Sequence, residues 1–191
     1  MAHSTKKQTQ IIAFVGLPGA GKSSAVDYLK AKDYPSVYFG GVVLAAMDEA
    51  GLDHTADNEQ TFREDLRQRE GKDFIVNRII EQINGLIDAG QHRIVADGLY
   101  TWTEYKLMKR AFPGELTTVA IVAPRQLRHR RLGTRPIRPL TNSEANKRDW
   151  DEIENLEKGG PIAIADSYII NDGNLDKLHQ AIDKELQAIN F

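Results

Sequence analysis

The sequence predicts an α/β protein whose parallel sheet is covered by helices on both faces. Three observations carry that expectation. Five short apolar runs punctuate the chain, helical periodicity fills the spaces between them, and the first run breaks into a glycine-rich turn. Strands alternating with helices favour parallel pairing, and a ligand then belongs beyond the strand C-terminal ends. At 191 residues, 41% apolar and 27% charged, the chain has material for one substantial core. A single domain spanning 1–191 is therefore expected.

The formal net charge of -2 gives no general attraction to nucleic acid or anionic membrane, so any basic site must be local. The absence of cysteine excludes disulfides, thiolate chemistry and cysteine-based metal sites. Residues 1–10 are polar without an apolar period and read as a flexible lead-in. The apolar run that follows is too short for a signal peptide or a membrane span, which predicts a cytoplasmic protein.

Ile11 to Ser23 reads IIAFVGLPGAGKS, a buried strand running into G-x-x-x-x-G-K-[ST] without a gap. Backbone must wrap closely around phosphate oxygens here, and side chains at Gly16, Gly19 or Gly21 would obstruct it. The expected cradle comprises Gly16, Pro18, Gly19, Ala20, Gly21, Lys22, Ser23 and Ser24. Its amides and the following helix N-terminus favour anions, Lys22 reaches the β- and γ-phosphates, and the Ser23 hydroxyl enters the Mg²⁺ shell. Lys22 to Lys32 is the first helix, with Ala25, Val26 and Leu29 facing the sheet.

Ser36 to Phe39 is a weaker strand, and Gly40-Gly41 leads into a helix through Leu44, Met47 and Ala50. Asp57 to Glu70 is charged and helical. Asp73 to Ala89 places Phe74, Val76, Ile79, Ile80, Ile83 and Ile87 at helical spacing. Arg93 to Ala96 is the third strand and ends at Asp97-Gly98. A helix over Thr101 to Phe112, a strand over Leu116 to Ala123 and a helix from Pro124 to Leu132 follow. Gly133 to Leu140 reads as a loop, Asn142 to Lys158 as a charged helix stopped by Gly159-Gly160-Pro161, Ser167 to Ile170 as the fifth strand, and Leu175 to Ile189 as a closing amphipathic helix.

Four places outside the glycine-rich turn carry candidate chemistry. Asp97 ends a strand where an acid beside such a turn can hold Mg²⁺, although Asp-Gly also begins ordinary turns. Arg125, Arg128, Arg130, Arg131, Arg135 and Arg138 form an acid-free run with His129. The spacing lets Arg128, Arg131 and Arg135 share one helical face and close over phosphates. A solvated face and a single-stranded nucleic-acid surface are the other readings of that run, and the scarcity of interleaved aromatics argues against nucleic acid. Asn146 to Asp149 matches N-K-x-D but lacks the preceding apolar strand, so the match reads as chance; Arg148 then has Asp149 or Glu152 as partner, and Trp150 reads as packing. Asn171, Asp172 and Gly173 end the last strand, where a turn either wraps a purine ring or caps the final helix.

These motifs together resemble the nucleoside monophosphate kinase superfamily of P-loop kinases, most closely its dephospho-CoA kinase-like branch. The resemblance rests on GLPGAGKS, FGGVV, VADG, RHRRLGTR, NKRDWDEIE and IADSYIINDG. It implies a three-layer P-loop fold with a short Arg-rich lid at about 133–148. It further implies ATP phosphates and Mg²⁺ at Gly16 to Ser23, lid duty for Arg128, Arg131 and Arg135, and adenine near Asn171 to Gly173. Similar proteins carry an acid and an arginine after the second strand and another arginine after the Asp-Gly. Here Gly40-Gly41-Val42-Val43-Leu44 and Leu99-Tyr100 stand instead, so either the acceptor is less anionic than a nucleotide monophosphate or Asp48, Glu49, Arg63 or Arg67 serves it. The expected activity is ATP- and Mg-dependent phosphoryl transfer to a nucleotide or dephospho-CoA-like small molecule, without membrane or nucleic-acid partners. The altered acceptor side leaves a nucleotide-binding ATPase or regulatory P-loop module as the alternative.

Overall fold

Strand β1 (Gln10–Val15) is wholly apolar from Ile11 onward, and each of those five residues is buried. A strand buried on both faces needs covering layers above and below, and this one lies at the centre of a parallel sheet ordered β2-β3-β1-β4-β5. The other strands are β2 (Ser36–Tyr38), β3 (Arg93–Asp97), β4 (Leu116–Val122) and β5 (Ser167–Ile170). Register sets Ala13 beside Ala96 and Val15 beside Ala120, so β1, β3 and β4 end close together. The computed structural model describes residues 8–136 and 138–191. Most of the expected flexible lead-in, residues 1–7, and Ile137 of the expected lid lie outside the described residues. Within the lead-in, Thr9 is buried and Gln10 already belongs to β1.

Helices α1 (Lys22–Lys30), α2 (Phe39–Glu49), α3 (Ala56–Glu70), α4 (Phe74–Asp88) and α5 (Trp102–Ala111) are followed by α6 (Arg125–Gly133), α7 (Asn142–Glu154), α8 (Gly159–Ala163) and α9 (Leu175–Ala188). Side chains alternate along a strand, and so do the two cores. Ile11, Ala13 and Val15 join Val43 and Met47 of α2, Val76 and Ile79 of α4 and Met108 of α5. Ile12 and Phe14 join Val26 and Leu29 of α1 with Leu178 and Ile182 of α9. The three-layer α/β architecture expected from the sequence is the one observed.

Three expectations are corrected. Helix α2 begins at Phe39, so Gly40 and Gly41 are helical rather than a lead-in. Phe39, Val42, Val43 and Met47 form its buried stripe, and burying Phe39 draws the glycines into the helix. The helix expected to reach Lys158 stops at Glu154, and Glu157 takes a left-handed φ of 51°. Gly159-Gly160-Pro161 then forms α8 rather than ending a helix. Proline sits there in a first turn, where its missing N–H costs no intrahelical bond, and a Cβ on Gly160 would lie 2.8 Å from the Trp102 ring. Finally, Trp150 is 63% exposed and does not pack into the core.

Candidate active site

The turn between β1 and α1 is held in place from three sides. Gly21 caps α1 with a φ of 109°, a left-handed conformation that favours glycine. The Asn171 side-chain amide donates to the Ala20 carbonyl at 2.7 Å, and Arg128 Nη1 donates to the Pro18 carbonyl at 3.0 Å. A Cβ on Gly19 would come within 2.6 Å of the Arg128 carbonyl, so α6 lies directly against the turn. Gly16, Pro18 and Ala20 are buried, Gly19, Gly21 and Ser24 are partly covered, and Ser23 is exposed. Lys22 curls back to donate to the Leu17 carbonyl at 3.1 Å. Burial, and then the neighbouring Lys158, pull its ammonium down to about 7; Arg148 and Arg128 add to the effect and Glu152 opposes it.

The expected arginine face divides into different tasks. Arg128 is buried and forms a two-pronged pair with Asp149 of α7, at 2.7 and 2.8 Å. His129 Nε2 donates to the same carboxylate at 3.0 Å. Burial raises the Asp149 carboxyl, but the bonds from Arg128 and His129 outweigh it and hold the group below the usual carboxylate range. Arg131 Nη1 donates to the Asn171 carbonyl at 3.1 Å and Nη2 to the Gly173 carbonyl at 3.1 Å. Arg135 lies beyond the end of α6, which corrects the expectation that it shares a helical face with the other two. Its Nε is buried without a partner among the described residues, while Nη2 donates to the Arg138 carbonyl at 3.3 Å.

Asn171 and Gly173 reach the turn through Arg131 and Ala20, and line a hollow of about 270 Å³ with Gly21, Ser24, Arg131 and Leu175. Asp172 neighbours Arg131 closely enough to raise its guanidinium, against the larger effect of burial. Asp97 lies at the end of β3, with Lys30 Nζ 3.6 Å from its carboxylate. Burial raises the Asp97 carboxyl, and Lys30 offsets only part of the rise. A half-buried carboxylate with one loosely placed ammonium, and on the neighbouring turn an exposed serine hydroxyl, are hard oxygen donors of the kind that suit Mg²⁺.

The place where the sequence led one to expect acceptor-binding charges, after β2, is filled otherwise. Tyr38 folds its ring over Gly40, where any Cβ would collide with it. Glu104 is buried and accepts from the amides of Tyr100 and Thr101, both at 2.9 Å, while Arg67 reaches it at 3.7 Å. A cleft of about 640 Å³ lies between α3 and α7, lined by Arg63, Arg67, Lys147, Arg148 and Glu152 among others. Neither Asp48 nor Glu49 is among its described lining residues; Asp48 pairs with His54 at 2.8 Å. At the inner side of α7, Glu152 accepts from Arg148 Nε at 3.2 Å and is paired with Lys158. Lys158 is buried, its Nζ 4.4 Å above the Tyr100 ring.

A UPF0200 protein of Thermococcus gammatolerans is 30% identical over 187 residues, covering 94% of this chain and 97% of its own. A second, from Methanothrix thermoacetophila, is 32% identical over 185 residues, covering 94% and 98%. An AAA domain family matches residues 12–149. The chain belongs to the UPF0200 family and carries an AAA domain. This UPF0200 chain also shares its fold with solved structures of lower identity. Protein TT1252 of Thermus thermophilus superposes with a TM-score of 0.66 at 19% identity, covering 95% of this chain and 98% of that one. Dephospho-CoA kinase of Campylobacter jejuni gives 0.58 at 16%, covering 95% and 97%, and shikimate kinase of Acinetobacter baumannii 0.56 at 17%, covering 95% of each. The fold is that of P-loop kinases, as the sequence motifs led one to expect.

Sequence reasoning missed two groups here, the clasp made by Asp149 and the buried Lys158. Asp149 is the partner of Arg128 and His129, and of the two partners expected for Arg148 it is Glu152 that pairs with it. The four-residue spacing of Arg148 and Glu152 on one helix was the available signal. Lys158 had none, because it lies in an irregular segment beside glycines. No helix among the described residues is long and apolar enough to cross a membrane.

Proposed function

We propose that this UPF0200 chain transfers the γ-phosphoryl group of ATP to a small-molecule acceptor, with a nucleotide or dephospho-CoA-like compound as the leading candidate. The observation that carries the reading is the charge around Lys22. Lys22 and Arg128 stand at the glycine-rich turn, Lys158 and Arg148 bear on Lys22 electrostatically, and Lys22 makes no ion pair among the described residues. Such a group of cations is relieved by a polyanion, and the turn's amides supply the matching donors.

In this reading the triphosphate lies along Gly16, Pro18, Gly19, Ala20, Gly21 and Ser24, and Lys22 exchanges the Leu17 carbonyl for phosphate oxygen. Arg135 supplies an unpartnered donor from the segment between α6 and α7, which serves as a lid at about 133–148. Arg128 and Arg131 act on the transferring group by fixing the turn and the Asn171 to Gly173 segment. The base rests in the hollow beside Asn171, Asp172 and Gly173. Ser23 and Asp97 hold Mg²⁺, which supplies charge neutralisation on the phosphate oxygens. An acceptor oxygen in the cleft between α3 and α7 bonds the γ-phosphorus as the bridging oxygen departs with ADP, and catalysis is mostly positioning and charge stabilisation.

A second reading is favoured by the Tyr38 ring over Gly40. With no acid in that place, water serves as acceptor and the chain is an ATPase or a regulatory nucleotide-binding module. The kinase and ATPase readings both require ATP turnover at Lys22, whereas a regulatory module requires only binding there. Followed by ADP formation, turnover should be Mg-dependent and should fall at least about a hundredfold in Lys22→Ala, the scale of removing one transition-state donor. Equal rates in the two proteins would refute the phosphate site itself.

A further inference from the structure

Lys158 is the buried cation that the proposed phosphate site leaves without a task. It lies between α7 and α8, with its side chain 3% exposed, and its ammonium is enclosed by the Glu152 carboxylate and the Tyr100 ring. Tyr100 follows Asp97-Gly98 at the end of β3, and β3 is hydrogen-bonded to β1, whose end carries the glycine-rich turn. Lys158 is therefore held at the edge of the sheet where Lys22 stands. Of the charged neighbours that act on Lys22, it has the largest effect.

A buried lysine is stable only while something answers its charge. Glu152 answers that of Lys158 here, yet it also accepts from Arg148, so one carboxylate is divided between two cations. Lys22 adds a third positive group close by. Glu104 also acts on Lys158 but is itself met by Arg67, so the cations here outnumber the carboxylates; such an arrangement gains from a further anion, and lysine's flexible stem lets its ammonium change partners within a few ångströms.

We propose that Lys158 is a second lysine of the triphosphate site, paired with Glu152 in the free protein and transferred to the terminal phosphate of a bound nucleoside triphosphate. The inference rests on the phosphate site described under the proposed function. It deepens that reading by naming the group that distinguishes triphosphate from diphosphate. A diphosphate occupies the turn but leaves Lys158 with Glu152. A triphosphate draws Lys158 away and frees one Glu152 oxygen on a side chain that lines the cleft between α3 and α7.

Calorimetric titration of the Mg complexes of ADP and of β,γ-imido-ATP tests this without knowledge of the acceptor. The wild-type chain should favour the triphosphate analogue. Lys158→Met leaves Glu152 short of a partner, so the double variant Glu152→Gln/Lys158→Met keeps the pair neutral and guards against misfolding. That variant should lose about tenfold in affinity for β,γ-imido-ATP, the scale of one charge-assisted hydrogen bond, while its ADP affinity stays within about twofold. Glu152→Gln alone loosens the hold on Lys158 and should tighten the triphosphate analogue more than ADP. A wild-type preference that survives in the double variant, or equal losses for both nucleotides, overturns the role of Lys158 alone. Failure of the wild-type chain to bind either nucleotide overturns the underlying phosphate site as well.

Discussion

Lys22 is maintained in an unfavourable state by its own surroundings. Its ammonium is brought to about 7 by burial and by neighbouring cations, from an ordinary 10.5. Between those two values the unfolded chain holds the extra proton, so this group makes stability rise with pH. Below about 7 the folded protein carries the full cost of a charged lysine in a largely enclosed, cation-rich site. Lys22→Met should therefore raise the melting temperature at pH 6, with the gain shrinking as pH approaches 10, while ATP turnover is lost. A melting temperature that falls at pH 6 contradicts this account of the lysine. The identity of Lys22 was legible in G-x-x-x-x-G-K-S; its electrostatic state was not, because Lys158, Arg148 and Arg128 reach it only through the fold. Gly40 is similar. The sequence exposes the missing acid, but the Tyr38 ring that fills its place follows from the tight start of α2.

Helices α6 and α7 meet through one buried clasp. Asp149 accepts from Arg128 and His129, and Arg128 carries the connection on to the Pro18 carbonyl. Removing one partner of such a pair leaves an uncompensated buried charge, whereas an apolar pair of similar volume is tolerated. Asp149→Ala should cost about 3–5 kcal/mol in denaturant unfolding, and Arg128→Met/Asp149→Leu should recover most of it. If the single variant loses less than about 1 kcal/mol, the clasp contributes no more than a surface ion pair. The start of α7 was legible at Asn142, where Thr141 and Glu144 form a capping box, while its end was not. Its chemistry was hidden because the arginine run contains no acid, and the acid arrives from the following helix. Lys158 and α8 were hidden for a related reason: Gly159-Gly160-Pro161 resembles a stop, while the Trp102 ring packed against Gly160 makes it a helical turn.

Across the whole molecule, class and layering were legible because each strand contains a short apolar run and helical period fills the segments between them. Strand order was not, since pairing β1 with β3 and β4 depends on contacts far apart in sequence. That order brings the ends of β1, β3 and β4 together and so places the glycine-rich turn, Asp97 and α6 around one opening. The donor half of the site was readable as a motif of adjacent residues. The proposed acceptor half is the cleft formed by α3, α7 and the segment before α8, whose side chains share no local pattern. The central claim is that the γ-phosphoryl group leaves ATP for an organic acceptor held in that cleft. It is tested most directly by following γ-labelled ATP with Mg²⁺ and a panel of nucleosides, nucleotides and dephospho-CoA. Label on one acceptor, absent with Lys22→Ala, is the predicted result, and label released only as inorganic phosphate whatever acceptor is present would contradict it.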